Sequence, residues 1–285
     1  MTSLYDTALT ESLRAMPYNS ASQFQTFVAG DTPDPRFGAA CLFQTIDAAD
    51  RAIAAGAPDP VYLKSGRHLA AVFDDGESLV VLDPYLLHRE PLVFDLAALR
   101  EAGELTVTSP AVQTRYDDDG ARKDSILTGT VRTRDDGYVL ALEYRRYSPT
   151  RRHYVVNRFF ELASTGAISR DLSAFDADIH LTHPEQTSLS IRTLNHELTD
   201  TAEVILPLRG WQDTVFGVAD LWTRDNQGVS RPASSDASGP VWESVTANTG
   251  LTRIEIEEHL VEASELYRKK ADPAVAIDPY KLDPE

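Results

Sequence analysis

The strongest constraint on the fold lies in the stretch GRHLAAVFDDGESLVVLDPYLL, residues 66–87. Its two short apolar runs, HLAAVF and SLVVLD, flank an Asp-Gly pair, which between such runs is typical of a tight β-hairpin. If Asp75 and Gly76 form the turn, His68 lies directly opposite Asp83 on the neighbouring strand. Opposed side chains have Cβ atoms roughly 4.5–5.5 Å apart, close enough for a carboxylate to accept an imidazole N–H. The hairpin therefore predicts a His–Asp pair at its open end.

A third residue decides how this pair is interpreted. Without a third residue, the His68–Asp83 pair is an ordinary cross-strand contact worth about 0.2–1 kcal/mol. Cys41, the only cysteine, lies at the start of a predicted helix over 39–55, where unpaired N–H groups and the helix dipole favour a thiolate. Cys41, His68 and Asp83 then supply a nucleophile, a base and a residue that orients the base. The alternative is that Cys41 is a small buried core residue.

Composition limits the class of protein. The chain has 285 residues, of which 42% are hydrophobic and 25% charged, and no apolar run is long enough for a membrane span. Its net charge of −17 argues against nucleic acid and against an anionic membrane surface as partners. The opening MTSLYDTALTESL lacks the pattern of a signal peptide, so we expect a cytoplasmic protein.

The pattern of predicted elements changes twice along the chain. Residues 1–100 contain three predicted helices (4–16, 39–55 and 94–103) and the hairpin. Residues 101–210 contain five runs typical of strands, namely ELTVTS, SILTGTVRT, GYVLALEYRRY, HYVVNRFFEL and TSLSIRT. Residues 211–285 contain a predicted strand within 210–223, a polar loop, a helix that begins with a capping box at Thr252 and Glu255, and an extended tail. We predict an α+β protein in three parts with these boundaries.

The residues around the three candidate side chains resemble a known group of enzymes. RFGAACLFQ, GRHLAAVF and VVLDPYLL, in this order, are similar to the Cys-His-Asp core of arylamine N-acetyltransferases and transglutaminase-like proteins, which have papain-type folds. The resemblance implies a helical N-terminal part with the catalytic Cys41, an antiparallel β-barrel-like middle and a C-terminal α/β part. It also implies that Cys41 is acylated, that His68 is the general base and that Asp83 orients it.

By this resemblance we expect an acyltransferase or amide synthase. It would pass an acyl group from a thioester donor, acyl-CoA or a phosphopantetheine thioester on an acyl carrier protein, to a small-molecule amine. Relatives in antibiotic pathways form amides in this way. We expect no bound cofactor and no metal. A hydrolase or protease of transglutaminase type, favoured by the Asp-Pro pair at Asp83, and a non-catalytic binding module remain alternatives.

Several further residues are candidates for supporting roles. The backbone N–H of Cys41 is the expected first oxyanion donor, and Gln23 or Gln25 is a second. His88 would be the base if the hairpin register slipped. His180 and His183 lack a third metal ligand, so they predict no metal site.

The donor site is expected at a basic segment of the otherwise acidic chain. Four arginines fall within nine residues and could bind the phosphates of the donor: Arg145, Arg146, Arg151 and Arg152. The alternative is a solvated turn between two strands.

Overall fold

The computed structural model describes residues 3–282 except 169, 171–176 and 178–180. Within these residues the chain is a mixed α+β protein with three antiparallel sheets. It divides into two compact units: unit 1 comprises Met1–Arg14 and Cys41–Ala174, and unit 2 comprises Ala15–Ala40 and Phe175–Glu285.

The described helices are α1 (Leu4–Ala15), α2 (Ser22–Phe24), α3 (Cys41–Ala54), α4 (Leu96–Ala102), α5 (Gly239–Thr249) and α6 (Arg253–Lys270). The strands are β1 (Tyr18–Asn19), β2 (Val61–Ser65), β3 (His68–Asp74), β4 (Ser78–Leu82), β5 (Leu92–Asp95), β6 (Glu104–Tyr116), β7 (Arg122–Arg134), β8 (Gly137–Ser148), β9 (His153–Ala163), β10 (Ser188–Leu194), β11 (Thr201–Pro207), β12 (Trp222–Arg224) and β13 (Ser230–Pro232). None of the described helices is long and apolar enough to cross a membrane.

Unit 1 contains two four-stranded sheets, ordered β2-β3-β4-β5 and β6-β7-β8-β9. Helix α3 lies on β3, where the Thr45 hydroxyl donates to the carbonyl of Leu69 at 3.0 Å. The predicted boundary at residue 100 falls inside this unit, because residues 87–89 pair with β6: Val112 N–H donates to Leu87 and Arg89 N–H to Pro110.

The β3–β4 hairpin has a different register from the predicted one. Asp74 pairs with Leu79 rather than with Glu77, so the connection is a four-residue loop, Asp75 to Ser78. The reason is local: the Asp75 carboxylate accepts the backbone N–H groups of Glu77 and Ser78, which stabilises the longer loop. The register differs by two residues, and since side chains alternate with a period of two, every side chain keeps its predicted face.

The β6–β9 sheet is open. The described residues show no pairing that closes it, so the barrel-like middle expected above is wrong. Closure requires the two edge strands to pair with each other. Here the outer edge of β6 is covered instead by residues 87–89, through a bridge between His88 and Ala111. The strands follow one another as a simple meander, close to the predicted strand runs.

Unit 2 contains one sheet, ordered β1-β10-β11-β12-β13, with a core that includes side chains of α5 and α6. The predicted capping box is confirmed: Thr252 Oγ1 accepts the N–H of Glu255, and the Glu255 carboxylate accepts the N–H of Thr252. The strand predicted within 210–223 is wrong for most of its length, because only β12 forms there. The predicted boundary at residue 210 falls between β11 and β12, which pair with each other.

Candidate active site

The structure brings Cys41, His68 and Asp83 together in unit 1. Cys41 is the first residue of α3, His68 is the first residue of β3, and Asp83 directly follows β4. The Nε2 atom of His68 lies 2.7 Å from Asp83 Oδ2, a short hydrogen bond. The three residues are only 4%, 2% and 0% exposed, respectively. The His–Asp pair predicted from the hairpin is therefore present, although the two residues are not directly opposite.

The orientation of the imidazole leaves its other nitrogen for the thiol. Nε2 of His68 is bonded to Asp83, whereas Nδ1 is buried and makes no hydrogen bond among the described residues. The Sγ atom of Cys41 lies 3.8 Å from the carbonyl oxygen of Arg67, the residue that precedes His68. Packing of α3 on β3 thus positions the thiol at the start of the strand that carries His68.

The charge state of His68 follows from its neighbours. Burial alone lowers the pKa of this imidazole, but the Asp83 carboxylate, with a smaller contribution from Cys41, outweighs burial and raises the pKa to about 10. His68 is therefore protonated at neutral pH. The Asp83 carboxylate thus stabilises the charged form of a buried imidazole.

Aromatic side chains enclose the imidazole. The Phe160 ring, on β9, is stacked on the His68 ring with centroids 3.7 Å apart and planes 18° apart. The Tyr85 ring is tilted at 5.4 Å from His68, and the Arg158 guanidinium lies over Tyr85 at 4.6 Å. Sequence reasoning missed these contacts, because nothing in the β9 pattern indicates which strand residue faces a histidine so far away in the chain.

His88 does not occupy the position of the base that a slipped hairpin register would give it. It is fully buried, and its Nε2 accepts the backbone N–H of Asp83 at 2.9 Å. Its Nδ1 lies 2.7 Å from the carbonyl oxygen of Glu90. Burial lowers the pKa of His88, so this imidazole is neutral. It is His68, and not His88, that contacts the Asp83 carboxylate.

The four arginines expected to bind the donor do not form one cluster. Arg146 is 5% exposed and donates towards Gln113, whereas its neighbour Arg145 is exposed and pairs with Glu143 at 2.6 Å. Successive strand residues point to opposite faces, which separates these two side chains. Arg151 is exposed, and Arg152 pairs with Asp118 at 2.8 Å.

The remaining candidates lie in unit 2 or outside the described residues. The side chain of Gln23 donates to Gln186 at 3.2 Å, and that of Gln25 approaches Glu262 at 3.5 Å. His180 lies outside the described residues, and His183 lies beside Glu185. Within the described part of the chain, no three His, Cys, Asp or Glu side chains are grouped so that they could hold a metal ion.

Comparison of the chain with protein-family models, with curated proteins and with solved structures found no match.

Proposed function

We propose that this chain is a papain-like acyltransferase that forms an amide through a thioester on Cys41. The observation that carries the proposal is the buried His68–Asp83 hydrogen bond of 2.7 Å beside a cysteine at a helix start. This set provides the three functions that thiol catalysis needs, and the described residues put no competing partner on His68 Nδ1.

The first half-reaction would acylate Cys41. In this half-reaction His68 Nδ1 would accept the proton of the thiol, and the Asp83 carboxylate would stabilise the charged ring. The thiolate attacks the carbonyl carbon of a thioester donor, and a tetrahedral oxyanion forms. The backbone N–H of Cys41, in the first turn of α3, would stabilise this oxyanion. The carbon–sulfur bond of the donor then breaks, and the leaving thiolate takes the proton from His68.

The second half-reaction would transfer the acyl group to an amine. The amine nitrogen attacks the carbonyl carbon of the Cys41 thioester, and His68 accepts the proton that the nitrogen loses. The carbon–sulfur bond to Cys41 breaks, which releases the amide and restores the thiolate–imidazolium pair. Throughout, Asp83 keeps the imidazole in one orientation and stabilises its charged form.

The proposal of transfer rather than hydrolysis follows the resemblance to N-acetyltransferases. Cys41 and His68 are 4% and 2% exposed, and Phe160 and Tyr85 cover the imidazole. In the proposed transfer, a bound amine would occupy the place from which water would otherwise reach the acyl-enzyme. We assign the donor to the thioesters of CoA or phosphopantetheine. Arg145, Arg151 and Arg152 are exposed, and to bind its phosphates Arg145 and Arg152 would exchange their pairing with Glu143 and Asp118 for the donor; Arg146 is buried.

The proposal is tested by mixing the protein with a panel of acyl-CoA thioesters and following its intact mass. We expect a mass increase equal to one acyl group in the wild type and none in Cys41→Ser. Adding an amine should discharge the acyl-enzyme and yield the amide. His68→Ala should lose this chemistry, whereas His196→Ala, which changes an exposed histidine of unit 2, should retain it.

Two outcomes would contradict the proposal. Release of the free acid alone, with every amine tested, would make the protein a cysteine hydrolase. Failure of every thioester to acylate Cys41, while the folded protein binds a partner equally well as wild type and as Cys41→Ser, would favour the binding module.

A further inference from the structure

Asp83 has few bonds that fix the direction of its carboxylate. Oδ2 bonds to His68, but Oδ1 is buried and makes no hydrogen bond within the described residues. In many sites a second hydrogen bond to the carboxylate would orient it. Here the backbone of Asp83 has to do so, through the hydrogen bonds of its own N–H and carbonyl groups.

The N–H of Asp83 is held by a side chain. His88 Nε2 accepts this N–H at 2.9 Å, and its Nδ1–H donates to the Glu90 carbonyl at 2.7 Å. Both ring nitrogens are thus used, and the bond to Asp83 fixes the tautomer, because Nε2 must carry a lone pair. The Asp83 carbonyl accepts from Leu86 N–H at 3.1 Å, which closes the turn between the two residues.

The segment that carries His88 is itself anchored. Leu87 has a left-handed backbone with φ 59°, an uncommon conformation for a leucine that persists only where its surroundings enforce it. The surroundings are β6: Val112 N–H donates to the Leu87 carbonyl at 2.8 Å, and Arg89 N–H donates to Pro110 at 2.9 Å. His88 therefore links the two sheets of unit 1: β6 holds the segment that carries His88, and the ring of His88 holds the backbone of Asp83, the residue after β4.

We propose that neutral His88 is a positioning residue, which aims the Asp83 carboxylate at His68 by holding the Asp83 backbone. The inference rests on the proposed function, since an aimed carboxylate matters only if His68 acts on Cys41. His88 touches no reacting atom and differs from the base in this respect. Burial lowers the pKa of His88, so its Nε2 keeps the lone pair that accepts the N–H of Asp83. In a protonated ring Nε2 would carry a hydrogen and could not accept this N–H.

Two substitutions separate the bonds of His88. In His88→Gln, the side-chain oxygen reaches the place of Nε2 and can accept the Asp83 N–H. In His88→Asn, the shorter amide reaches the place of Nδ1 and can donate to Glu90, but it leaves the Asp83 N–H without an acceptor. The variant His88→Asn therefore keeps the bond to Glu90 and removes only the bond to Asp83. The variant His88→Gln keeps the bond to Asp83.

The first readout is the pH dependence of Cys41 alkylation together with acyl transfer. For His88→Asn we expect the pH of half-maximal alkylation to move upward by about one unit and turnover to fall about 10-fold. His88→Gln should stay within about threefold of the wild type. Thermal unfolding of both variants shows whether each is folded. The proposal would be overturned if the wild type, His88→Asn and His88→Gln had the same pH profile of alkylation. It would also be overturned if the two variants lost the same amount of turnover.

The second readout separates this proposal from the proposed function. In a Cys41→Ala background, the proton of the His68–Asp83 hydrogen bond should give a downfield NMR resonance that His68→Ala removes. His88→Asn should weaken or broaden it, and His88→Gln should retain it. This result upholds the positioning role even if no thioester acylates Cys41. A resonance that His88→Asn leaves unchanged would overturn the role even if acyl transfer is found.

Discussion

Two histidines, one in each unit, are buried and stacked to the same degree, but one ring is charged and the other is neutral. His68 in unit 1 is 2% exposed and is stacked on Phe160 at 3.7 Å. His259 in unit 2 is 3% exposed and is stacked on Phe37 at 4.0 Å. In each ring Nε2 has one short polar contact, and Nδ1 has no hydrogen bond among the described residues. Burial and stacking therefore do not distinguish the two sites.

The group at Nε2 makes the difference. His259 Nε2 lies 2.8 Å from the side-chain nitrogen of Asn19, a donor without charge, and burial lowers the pKa of His259 to about 4. His68 meets the Asp83 carboxylate, and its pKa rises to about 10 despite burial. The Asp83 carboxylate, with the smaller contribution of Cys41, thus gives the buried imidazole of His68 a charge that His259 lacks. The comparison shows why Asp83 is central to the proposed chemistry.

The largest expected effect comes from making the two sites alike. Asp83→Asn replaces the carboxylate by an amide, so burial should dominate and lower the pKa of His68 below its ordinary value of 6.5. We expect acyl transfer to fall by about 10³–10⁴-fold, because the imidazole loses both its charge and its orientation. Turnover and NMR titration of the His68 ring check this. A variant that keeps most of its activity would break the comparison.

The reverse substitution is the matched control. Asn19→Asp places a carboxylate beside His259, and the pKa of His259 should then rise above 6.5. If the ring stays neutral near pH 6, a neighbouring carboxylate is not sufficient to explain the charge of His68.

The next effect is on stability in acid. Because the folded pKa of His259 is about 4 and its unfolded value is 6.5, the unfolded chain binds the proton first as pH falls. Protonation of His259 therefore has no effect on the free energy of unfolding above pH 6.5. Between pH 6.5 and 4 the free energy of unfolding should fall progressively, by a total of about 3 kcal/mol. Urea unfolding followed by tryptophan fluorescence reports unit 2, which contains Trp211, Trp222 and Trp242.

His259→Gln cannot titrate and controls for the carboxyl groups of the chain. Its free energy of unfolding should fall less between pH 6.5 and 4 than that of the wild type. Equal falls in both proteins would show that His259 does not carry the acid sensitivity.

The smallest expected effect separates the two stacked phenylalanines. Phe160→Ala removes the ring from one face of His68 and should lower turnover about 10-fold, which corresponds to about 1.4 kcal/mol. Phe37→Ala removes the equivalent ring from His259 and should lower thermal stability with turnover unchanged within about threefold. Equal effects of the two substitutions on turnover would mean that stacking on His68 has no special role.

Local patterns were sufficient for much of unit 1. Helical spacing predicted α3, and with it the place of Cys41 at a helix start. Alternation along the hairpin placed His68 and Asp83 on one face, and this survived an error of two residues in the register because the period of a strand is two. The loop length itself depends on which backbone groups the Asp75 carboxylate accepts, and the sequence does not show this.

Contacts between residues that are distant in the chain could not be predicted from the sequence. Phe160 covers His68 only because β9 packs beside β2, the strand that pairs with β3. The role of His88 depends on the pairing of its segment with β6. Helix α5 was missed since its residues have little amphipathic pattern, and tertiary packing in unit 2 stabilises it instead.

The most direct test of the central claim is the rate of Cys41 alkylation by iodoacetamide between pH 5 and 9, followed by intact mass. Only one cysteine can react. If His68 carries the proton of the thiol, the wild type should be modified readily below pH ~7, and His68→Ala only near the ordinary thiol pKa of ~8.5. A folded wild type that is inert at every pH, or that reacts with the same profile as His68→Ala, would contradict the account.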